Sequence, residues 1–310
     1  MTDAILGLHH VTAIARDPNT CVSFCTRVLG LRLVKRTVNF DDPFTYHLYF
    51  GDRTGSPGSL LTHFPDPKAR DGVHGVPEIF ETVLSTQRGT LGRWRSRLDR
   101  HGVEHQTVWF GPEERLVFRD PEGMGLSIRE DGRLEVGPSR AELASPALGR
   151  VAIRVPDAEV TAGFLVETLG FRFCGNAGDR TLLGVGGELV PPTLEIVGDR
   201  ACARARLGAG VVHHAACRTP DDSSQASVRQ KLLNAGVAVS EPKDRSYFRS
   251  IYARIPGGVI IEIATDGPGF AIDEPVERLG RSLRLPSEHE AARAQIESRL
   301  APLDDLSLGD

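Results

Sequence analysis

The chain repeats itself, and this repetition constrains its fold more than any other feature of the sequence. Residues 11–33 (VTAIARDPNTCVSFCTRVLGLRL) align without a gap with residues 151–173 (VAIRVPDAEVTAGFLVETLGFRF). Each stretch predicts a short strand, an Asp-containing turn and an amphipathic helix that stops at Leu-Gly, where glycine tolerates the left-handed backbone of a helix end. A second pair of stretches, 79–104 and 213–238, aligns in the same way. The sequence therefore contains four copies of one unit.

Each unit continues after its helix with β-type runs separated by turn residues, such as FTYHLYF and SLLTHF in the first unit. We therefore predict an α+β fold in which four βαβββ modules form two cup-shaped barrels. The predicted modules span residues 5–66, 76–131, 148–199 and 210–266, followed by a tail, 267–310, that contains an amphipathic helix (EHEAARAQIESRL). A stretch around 137–149, with Pro, Ser and Gly, separates the two halves.

Composition excludes several kinds of partner. The 310 residues carry 37 Lys and Arg against 41 Asp and Glu, a formal net charge of −4, so we expect neither nucleic acid nor an acidic membrane as a partner. The N-terminus lacks a signal-peptide pattern, and no apolar run approaches the ~20 residues of a membrane span. The five cysteines form no CxxC pair, so we expect thiols in a cytoplasmic protein. Composition leaves a homo-oligomer open.

The repeat allows one position to be compared in all four modules. In each module, the first strand and the last strand can each present one side chain to the interior of a cup. Aligning the modules assigns these two positions, in chain order, to His10 and Thr62, Phe80 and Ser127, Arg150 and Glu195, and His214 and Glu262.

Pairing of the first module with the fourth would produce a candidate metal site. That cup would contain His10, His214 and Glu262, with the neutral Thr62 at the fourth position. Two imidazoles and one carboxylate with open coordination positions suit non-haem Fe(II). Glu262 lies in the apolar run GGVIIEIA, where a carboxylate needs a partner to offset its burial.

Pairing of modules in sequence, one with two and three with four, is the alternative. It would place the permanent cation of Arg150 beside His214, Glu195 and Glu262, where it would compete with a metal ion. We therefore favour the crossed pairing of modules one and four. The remaining cup would then hold Phe80 and Ser127 and an ion pair between Arg150 and Glu195.

Each candidate histidine belongs to a His-His doublet, in GLHHVT and in VVHHAA. Neighbouring residues of a regular strand point to opposite faces, so only one histidine of each doublet can face the cup directly. Both registers are largely apolar, so the residue pattern leaves open which histidine that is.

Four stretches carry a resemblance to a known family: 7–12, 34–65 (VKRTVNFDDPFTYHLYFGDRTGSPGSLLTHFP), 211–216 and 244–265 (DRSYFRSIYARIPGGVIIEIAT). With these stretches and its four βαβββ modules, the chain resembles the vicinal oxygen chelate superfamily. Within it, the chain is most similar to the dioxygenases that open the rings of hydroquinones and chlorohydroquinones. The resemblance covers nearly the whole chain.

The resemblance implies an Fe(II) enzyme, with Mn(II) as the alternative metal, that cleaves hydroquinone-type or catechol-type aromatic diols with O2. It implies the crossed pairing of modules as well. The residues it implies are His10, His214 and Glu262 as metal ligands, His9 and His213 as neighbouring or proton-handling groups, and Arg245 and Tyr252 near the substrate. Arg245 could hold a phenolate oxygen by charge-assisted hydrogen bonds, and Tyr252 could donate a proton.

Two other functions stay open at this point. A glyoxalase-like isomerase or lyase would usually need a fourth protein ligand, which Thr62 does not provide well. A metal-free protein that sequesters a small molecule would not need the two histidines and the glutamate. Tyr46 and His47 are weaker candidates for the site, and His63 is expected to face away from it because it follows Thr62 in a strand.

Overall fold

Four modules, each a strand, a helix and three strands, follow one another along the chain, as the repeat predicts. The structure is a computed structural model that describes residues 4–134, 143–186 and 191–304. Residues 137–142 of the predicted linker and residues 305–310 of the predicted tail lie outside the described residues. Within the described ranges, no helix is long and apolar enough to cross a membrane.

The elements of the four modules are as follows. Module one comprises β1 (Gly7–Ala15), α1 (Pro18–Ser23) with a π-helical turn (Phe24–Val28), β2 (Arg32–Asn39), β3 (Asp42–Gly51) and β4 (Leu60–Pro65). Module two comprises β5 (Glu78–Thr86), α2 (Leu91–Arg100), β6 (His105–Phe110), β7 (Glu113–Arg119) and β8 (Gly125–Glu130). Module three comprises β9 (Ala147–Val155), α3 (Ala158–Leu169), β10 (Arg172–Ala177), β11 (Arg180–Gly184) and β12 (Pro192–Gly198). Module four comprises β13 (Val212–Thr219), α4 (Asp222–Asn234), β14 (Lys243–Asp244), β15 (Arg249–Arg254) and β16 (Ile260–Thr265).

The repeated turn and stop residues have the local roles that the alignment predicts. The side chains of Asp17, Asp157 and Asp221 each accept a hydrogen bond from backbone N–H groups in the first turn of the following helix. Such N-caps satisfy donors that a helix leaves free. Gly170 ends α3 in the left-handed conformation, with φ of 76°. The helices therefore begin at equivalent places in these three modules.

The strands form two curled sheets of eight, and the modules pair in the crossed manner. One sheet has the order β14-β15-β16-β13-β1-β4-β3-β2, so it joins modules four and one. The other has the order β10-β11-β12-β9-β5-β8-β7-β6 and joins modules three and two. In each sheet the two first strands pair antiparallel, β1 with β13 and β5 with β9. We call the barrel of modules one and four the outer cup and that of modules two and three the inner cup.

The segments that connect the two sheets run side by side. Bridges join Asp71 to Ala209, and Val73 to Arg206, so the linker after module one lies against the linker before module four. Gly75 permits this contact, because a Cβ atom there would lie 2.1 Å from the backbone oxygen of Ala203. Paired linkers bring the end of module one and the start of module four together, which favours the crossed arrangement.

The tail packs on module one through a buried ion pair. Lys35 in β2 is fully buried, and its Nζ donates to Asp273 Oδ1 at 2.6 Å and also to the carboxylate of Glu274. Beside this pair, the ring of Phe270 lies 5.0 Å from that of Tyr49 in β3. The tail therefore covers one side of the outer cup.

The predicted tail helix is shorter in the structure than in the sequence analysis. Residues Ser287–Ala292 form a 3₁₀ turn, and α5 covers only Arg293–Glu297. Ile296 and Leu300 are the buried apolar residues of this segment. Two buried apolar side chains stabilise little more than one turn, because an α-helix in a protein depends mainly on packing along its apolar face.

The strand register corrects one predicted position. Ile79 pairs with Ile153 and Glu81 pairs with Ala152, so Phe80 is the extra residue of a β-bulge in β5. Glu81, and not Phe80, therefore occupies the first-strand position of module two. The gapless alignment missed the position by one residue because it was set by the helix, and the segment from Glu81 to Leu98 is one residue shorter than its counterpart from His214 to Leu232.

The inner cup is filled by a network of ion pairs. Arg150 Nη1 donates to Glu195 Oε1 at 2.9 Å, which confirms the predicted pair. Arg180 Nη1 lies 2.8 Å from Glu81 Oε2, and Arg115 Nη1 lies 3.2 Å from Glu81 Oε1. Arg115 also contacts both oxygens of Glu195, and neither side chain is exposed. Guanidinium groups thus occupy the interior that a metal ion would need.

Removal of one member of this network should destabilise the protein strongly. We expect Arg150→Met to lower the free energy of unfolding by about 3 kcal/mol, because it leaves Glu195 with one partner fewer inside the inner cup. Chemical denaturation would measure the change. The matched control is Arg95→Met, which removes an exposed ion pair with Glu114 and should cost less than about 1 kcal/mol. Equal effects of the two substitutions would contradict a structural role for the network.

Candidate metal centre

Three side chains converge inside the outer cup. His10 extends from β1, His214 from β13 and Glu262 from β16, and each is at most 3% exposed. The distance between the two Nε2 atoms is 3.3 Å, and Oε2 of Glu262 lies 3.4 Å from His10 Nε2 and 2.9 Å from His214 Nε2. Adjacent ligands at about 2.1 Å from one ion lie about 3 Å apart. The three atoms therefore have the spacing of one face of a coordination shell, and the residues fit a divalent metal ion.

Two β-bulges decide which histidine of each doublet faces the cup. Leu8 pairs with Cys217 and His10 with Ala216, so His9 is the extra residue in β1. Likewise Thr12 pairs with His214 and Ala13 with Val212, which makes His213 the extra residue in β13. Because a bulge re-aims the side chains around it, both imidazoles of a doublet can lie near the cup while only the second enters it.

The first histidine of each doublet holds the second by a hydrogen bond between rings. His9 Nδ1 lies 2.9 Å from His10 Nδ1, and His213 Nδ1 lies 2.7 Å from His214 Nδ1. In each pair one nitrogen donates and the other accepts. The bond orients the ring of His10 or His214 so that its Nε2 points into the cup, as hydrogen-bond partners of ligand imidazoles commonly do.

Burial keeps this site in a protonation state that suits metal binding. Burial, with a contribution from the neighbouring His10, lowers the pKa of His9 to about 3. Burial, with a contribution from His214, lowers the pKa of His213 to about 4, and it also lowers the pKa of His214. Burial by itself would raise the pKa of Glu262, but His10 and His214 bring it well below its usual range. Neutral imidazoles and an ionised carboxylate are the forms that bind metal ions.

A second hydrogen bond orients the carboxylate. Ser250 Oγ donates to Glu262 Oε1, which leaves Oε2 facing the two imidazole nitrogens. Sequence analysis missed Ser250. The signal was available, because Ser250 and Tyr252 alternate along β15 and therefore share a face of the strand.

The metal centre opens onto a cavity of about 450 Å³. Aromatic side chains form much of its wall, and the ring of Phe248 packs 5.3 Å from that of His10. Arg245 and Tyr252 line the same cavity, and Arg245 Nε donates to the Tyr252 hydroxyl at 3.2 Å. Burial raises the pKa of Tyr252, with a further contribution from Glu262, so the side chain remains a phenol at neutral pH.

Of the weaker candidates Tyr46, His47 and His63, only His47 lines the cavity. His47 lines the cavity, where its Nε2 lies 3.0 Å from Thr62 Oγ1 and its Nδ1 lies 2.8 Å from the hydroxyl of Tyr49. Tyr46 instead accepts a hydrogen bond from Arg36. His63 is buried and faces away, as predicted, with its Nε2 3.9 Å from a carboxylate oxygen of Asp120 in module two.

Thr62 occupies the position that the repeat assigns to a fourth ligand. It pairs with Thr12 in the parallel register of β4 and β1, and its Oγ1 lies 2.8 Å from Thr12 Oγ1. Glu195 occupies the equivalent position of module three, since it pairs with Ala152. The outer cup therefore offers two imidazoles and one carboxylate, with a neutral hydroxyl at the fourth position.

Comparison with known proteins agrees with this fold. The family "Glyoxalase/Bleomycin resistance protein/Dioxygenase superfamily" matches residues 7–128. The chain is 37% identical to "Putative ring-cleaving dioxygenase MhqO" of Bacillus subtilis, over 98% of both chains. It is 32% identical to "Chlorohydroquinone/hydroquinone 1,2-dioxygenase" of Sphingobium indicum, over 96% of both chains.

A solved structure is similar over almost its full length as well. The crystal structure of a dioxygenase from Bacillus subtilis, described as putative, superposes with a TM-score of 0.90 at 36% identity, and the match covers 98% of this chain and 99% of that one. The agreement extends over all four modules and the tail, not only over the part that the family profile matches. The chain therefore belongs to the glyoxalase/bleomycin resistance protein/dioxygenase superfamily, also called the vicinal oxygen chelate superfamily.

Proposed function

We propose that the protein is a non-haem Fe(II)-dependent dioxygenase that opens the ring of hydroquinone-type aromatic diols with O2. The observation that carries the proposal is the convergence of His10, His214 and Glu262 beside a cavity, with no fourth His, Cys, Asp or Glu ligand among the described residues. The names of the relatives, which include a hydroquinone dioxygenase, support the reaction and the substrate class. Catechol-type diols are the second substrate class.

Iron fits the ligand set by its chemistry. Two histidines and one carboxylate with open positions are typical of Fe(II) oxygenases, and Mn(II) accepts the same ligands. When bound, Fe(II) supplies the redox chemistry that couples an aromatic diol to O2. His10, His214 and Glu262 would hold the metal, and His9, His213 and Ser250 would keep those three ligands in position.

The remaining residues would bind the diol and move its protons. The rings of Phe248, Phe64 and Tyr49 give the cavity an apolar wall that suits a small aromatic molecule and excludes water. Arg245 would stabilise negative charge on a substrate oxygen by charge-assisted hydrogen bonds. Tyr252, held as a phenol by burial, would donate its proton to an oxygen of the ring-opened product.

Two other functions have less support. An isomerase or lyase of the glyoxalase kind needs a fourth ligand, and Thr62 Oγ1 is engaged with Thr12 and His47. A protein that sequesters a small molecule without metal would leave an ionised Glu262 buried against two imidazoles for no purpose. Metal content of the purified protein separates this last function from the other two.

Oxygen consumption is the direct test. The protein would be purified under argon and loaded with Fe(II), and O2 uptake would be recorded with hydroquinone and with catechol. We expect rapid uptake with hydroquinone, and a loss of at least about 100-fold in His214→Ala, because that variant removes a metal ligand. Uptake with catechol alone would retain the reaction and change the substrate class. Absence of uptake with either diol, from protein shown to contain iron, would contradict a dioxygenase of these diols.

The doublet partner should affect metal affinity rather than the fold. We expect His213→Ala to weaken metal binding by about 10- to 100-fold, because His214 loses the hydrogen bond that orients its ring. Competition with a chromogenic chelator would measure the affinity for Zn(II), so that oxidation does not interfere. His101→Ala is the matched control, because His101 is exposed at the end of α2. An affinity equal to that of the control would contradict the orienting role of His213.

A further inference from the structure

An ion-pair cluster spans the cavity between modules one and four. Asp41 lies in the turn between β2 and β3, and both oxygens of its carboxylate accept hydrogen bonds from module four. Oδ1 accepts from Lys243 Nζ at 2.9 Å, and Oδ2 accepts from Arg245 Nη2 at 2.9 Å. All three residues line the cavity of the metal centre. One carboxylate therefore ties two segments that are more than 200 residues apart in the chain.

The exposed fractions of the three side chains indicate that this cluster lies at the mouth of the cavity. The side chain of Asp41 is 59% exposed and that of Lys243 is 42% exposed, whereas that of Arg245 is only 11% exposed. Asp41 and Lys243 thus lie at the solvent side of the cluster, and Arg245 lies at its interior side. We infer that Asp41, Lys243 and Arg245 form a latch that closes the mouth and positions Arg245 over the bound diol. This inference rests on the proposed function and adds Asp41 as a positioning residue.

The guanidinium of Arg245 connects the latch to the chemistry. Its Nη2 contacts Asp41 while its Nε donates to the Tyr252 hydroxyl at 3.2 Å. Its planar group also lies 5.3 Å from the ring centres of Phe40 and Tyr252. Asp41 contacts the end of the group that faces away from Tyr252, so loss of the carboxylate frees Arg245 to rotate. Asp41 therefore acts on the reaction through Arg245.

The strength of the latch suits a gate that opens in each turnover. The outer pair, Asp41 with Lys243, joins two exposed side chains, and such ion pairs contribute about 0–1 kcal/mol and are screened by salt. The diol itself is neutral below a phenol pKa of about 10, so long-range attraction does not steer it. An effect of salt on the capture of hydroquinone therefore reports on charges of the protein. Asp42 and Asp66 also line the cavity, so a control at Asp42 is needed to assign the effect to the latch.

Asp41→Asn tests the latch, with Asp42→Asn as the matched control. Both substitutions remove one negative charge from neighbouring positions in the cavity wall, but the hydrogen bonds that Asp42 accepts in the described structure come from Thr45 Oγ1 and the backbone N–H of Phe44, both in module one. Hydroquinone binding would be measured with protein loaded with redox-inactive Zn(II). Calorimetry gives the dissociation constant Kd, and proton NMR exchange gives the dissociation rate constant. The dissociation rate constant divided by Kd gives the association rate constant.

We expect Asp41→Asn to raise the association rate about threefold, the effect of a latch contribution below 1 kcal/mol. Added salt should raise the association rate of the unchanged protein and of Asp42→Asn, but not that of Asp41→Asn. With Fe(II), kcat should fall in Asp41→Asn while kcat/KM does not, because entry is easier and Arg245 is less well oriented. Asp41→Glu, which retains the carboxylate, should restore both the salt dependence and kcat.

Two results would overturn the latch. One is an association rate that does not depend on salt in the unchanged protein; the other is an equal effect of Asp41→Asn and Asp42→Asn. Binding to the Zn(II) protein does not require turnover, so these outcomes can be read even if no diol is oxidised. Lack of O2 uptake together with a salt-dependent latch would therefore contradict the proposed reaction and leave the gate in place.

Discussion

The antiparallel pairing of β1 with β13 is the contact on which the rest of the structure depends. It joins the first module to the last, and it brings His10 and His214 to within 3.3 Å between their Nε2 atoms. The bulges at His9 and His213 lie near opposite ends of this seam, so each strand re-aims one doublet. The position of Glu262 depends on the same pairing, because β16 lies beside β13 and Glu262 pairs with Ala216. The candidate metal centre therefore forms only when both halves of the chain have folded.

The same module supports two different interiors. In the outer cup, Ser250 lies two residues before Tyr252, which pairs with Glu262. In the inner cup, Arg115 occupies the corresponding strand position, two residues before Val117, which pairs with Ser127. A hydroxyl at this position orients a ligand carboxylate, whereas a guanidinium neutralises the carboxylates of the inner cup directly. One cup is therefore suited to a metal ion, and the other is stabilised by permanent cations of the chain itself.

Much of the fold was predictable because an internal repeat in the sequence indicates repeated structural modules even when no contact between residues is known. The four modules, their order and the pairing of Arg150 with Glu195 follow from aligned positions and from the repulsion that sequential pairing would create. The position in module two was wrong by one residue, since the segment between the strand position and the aligned helical leucine is one residue shorter in module two than in module four, and a gapless alignment does not register such a difference. The tail helix was too long in the prediction, because periodicity does not reveal that Ile296 and Leu300 are the only apolar side chains of the predicted helix that become buried.

The sequence by itself determined the four-module architecture, the meeting of His10, His214 and Glu262 in one cup and the pairing of Arg150 with Glu195, because these depend on spacing and charge along the chain. Only the tertiary structure decided the orientation of each doublet, the cavity position of His47 and the contact of Asp41 with Arg245. The residue pattern could not decide whether His9 or His10 faces the cup, since a bulge depends on the pairing with the opposing strand. Asp41 and Arg245 lie in turns whose partners belong to another module, so their contact is a property of the assembled cup.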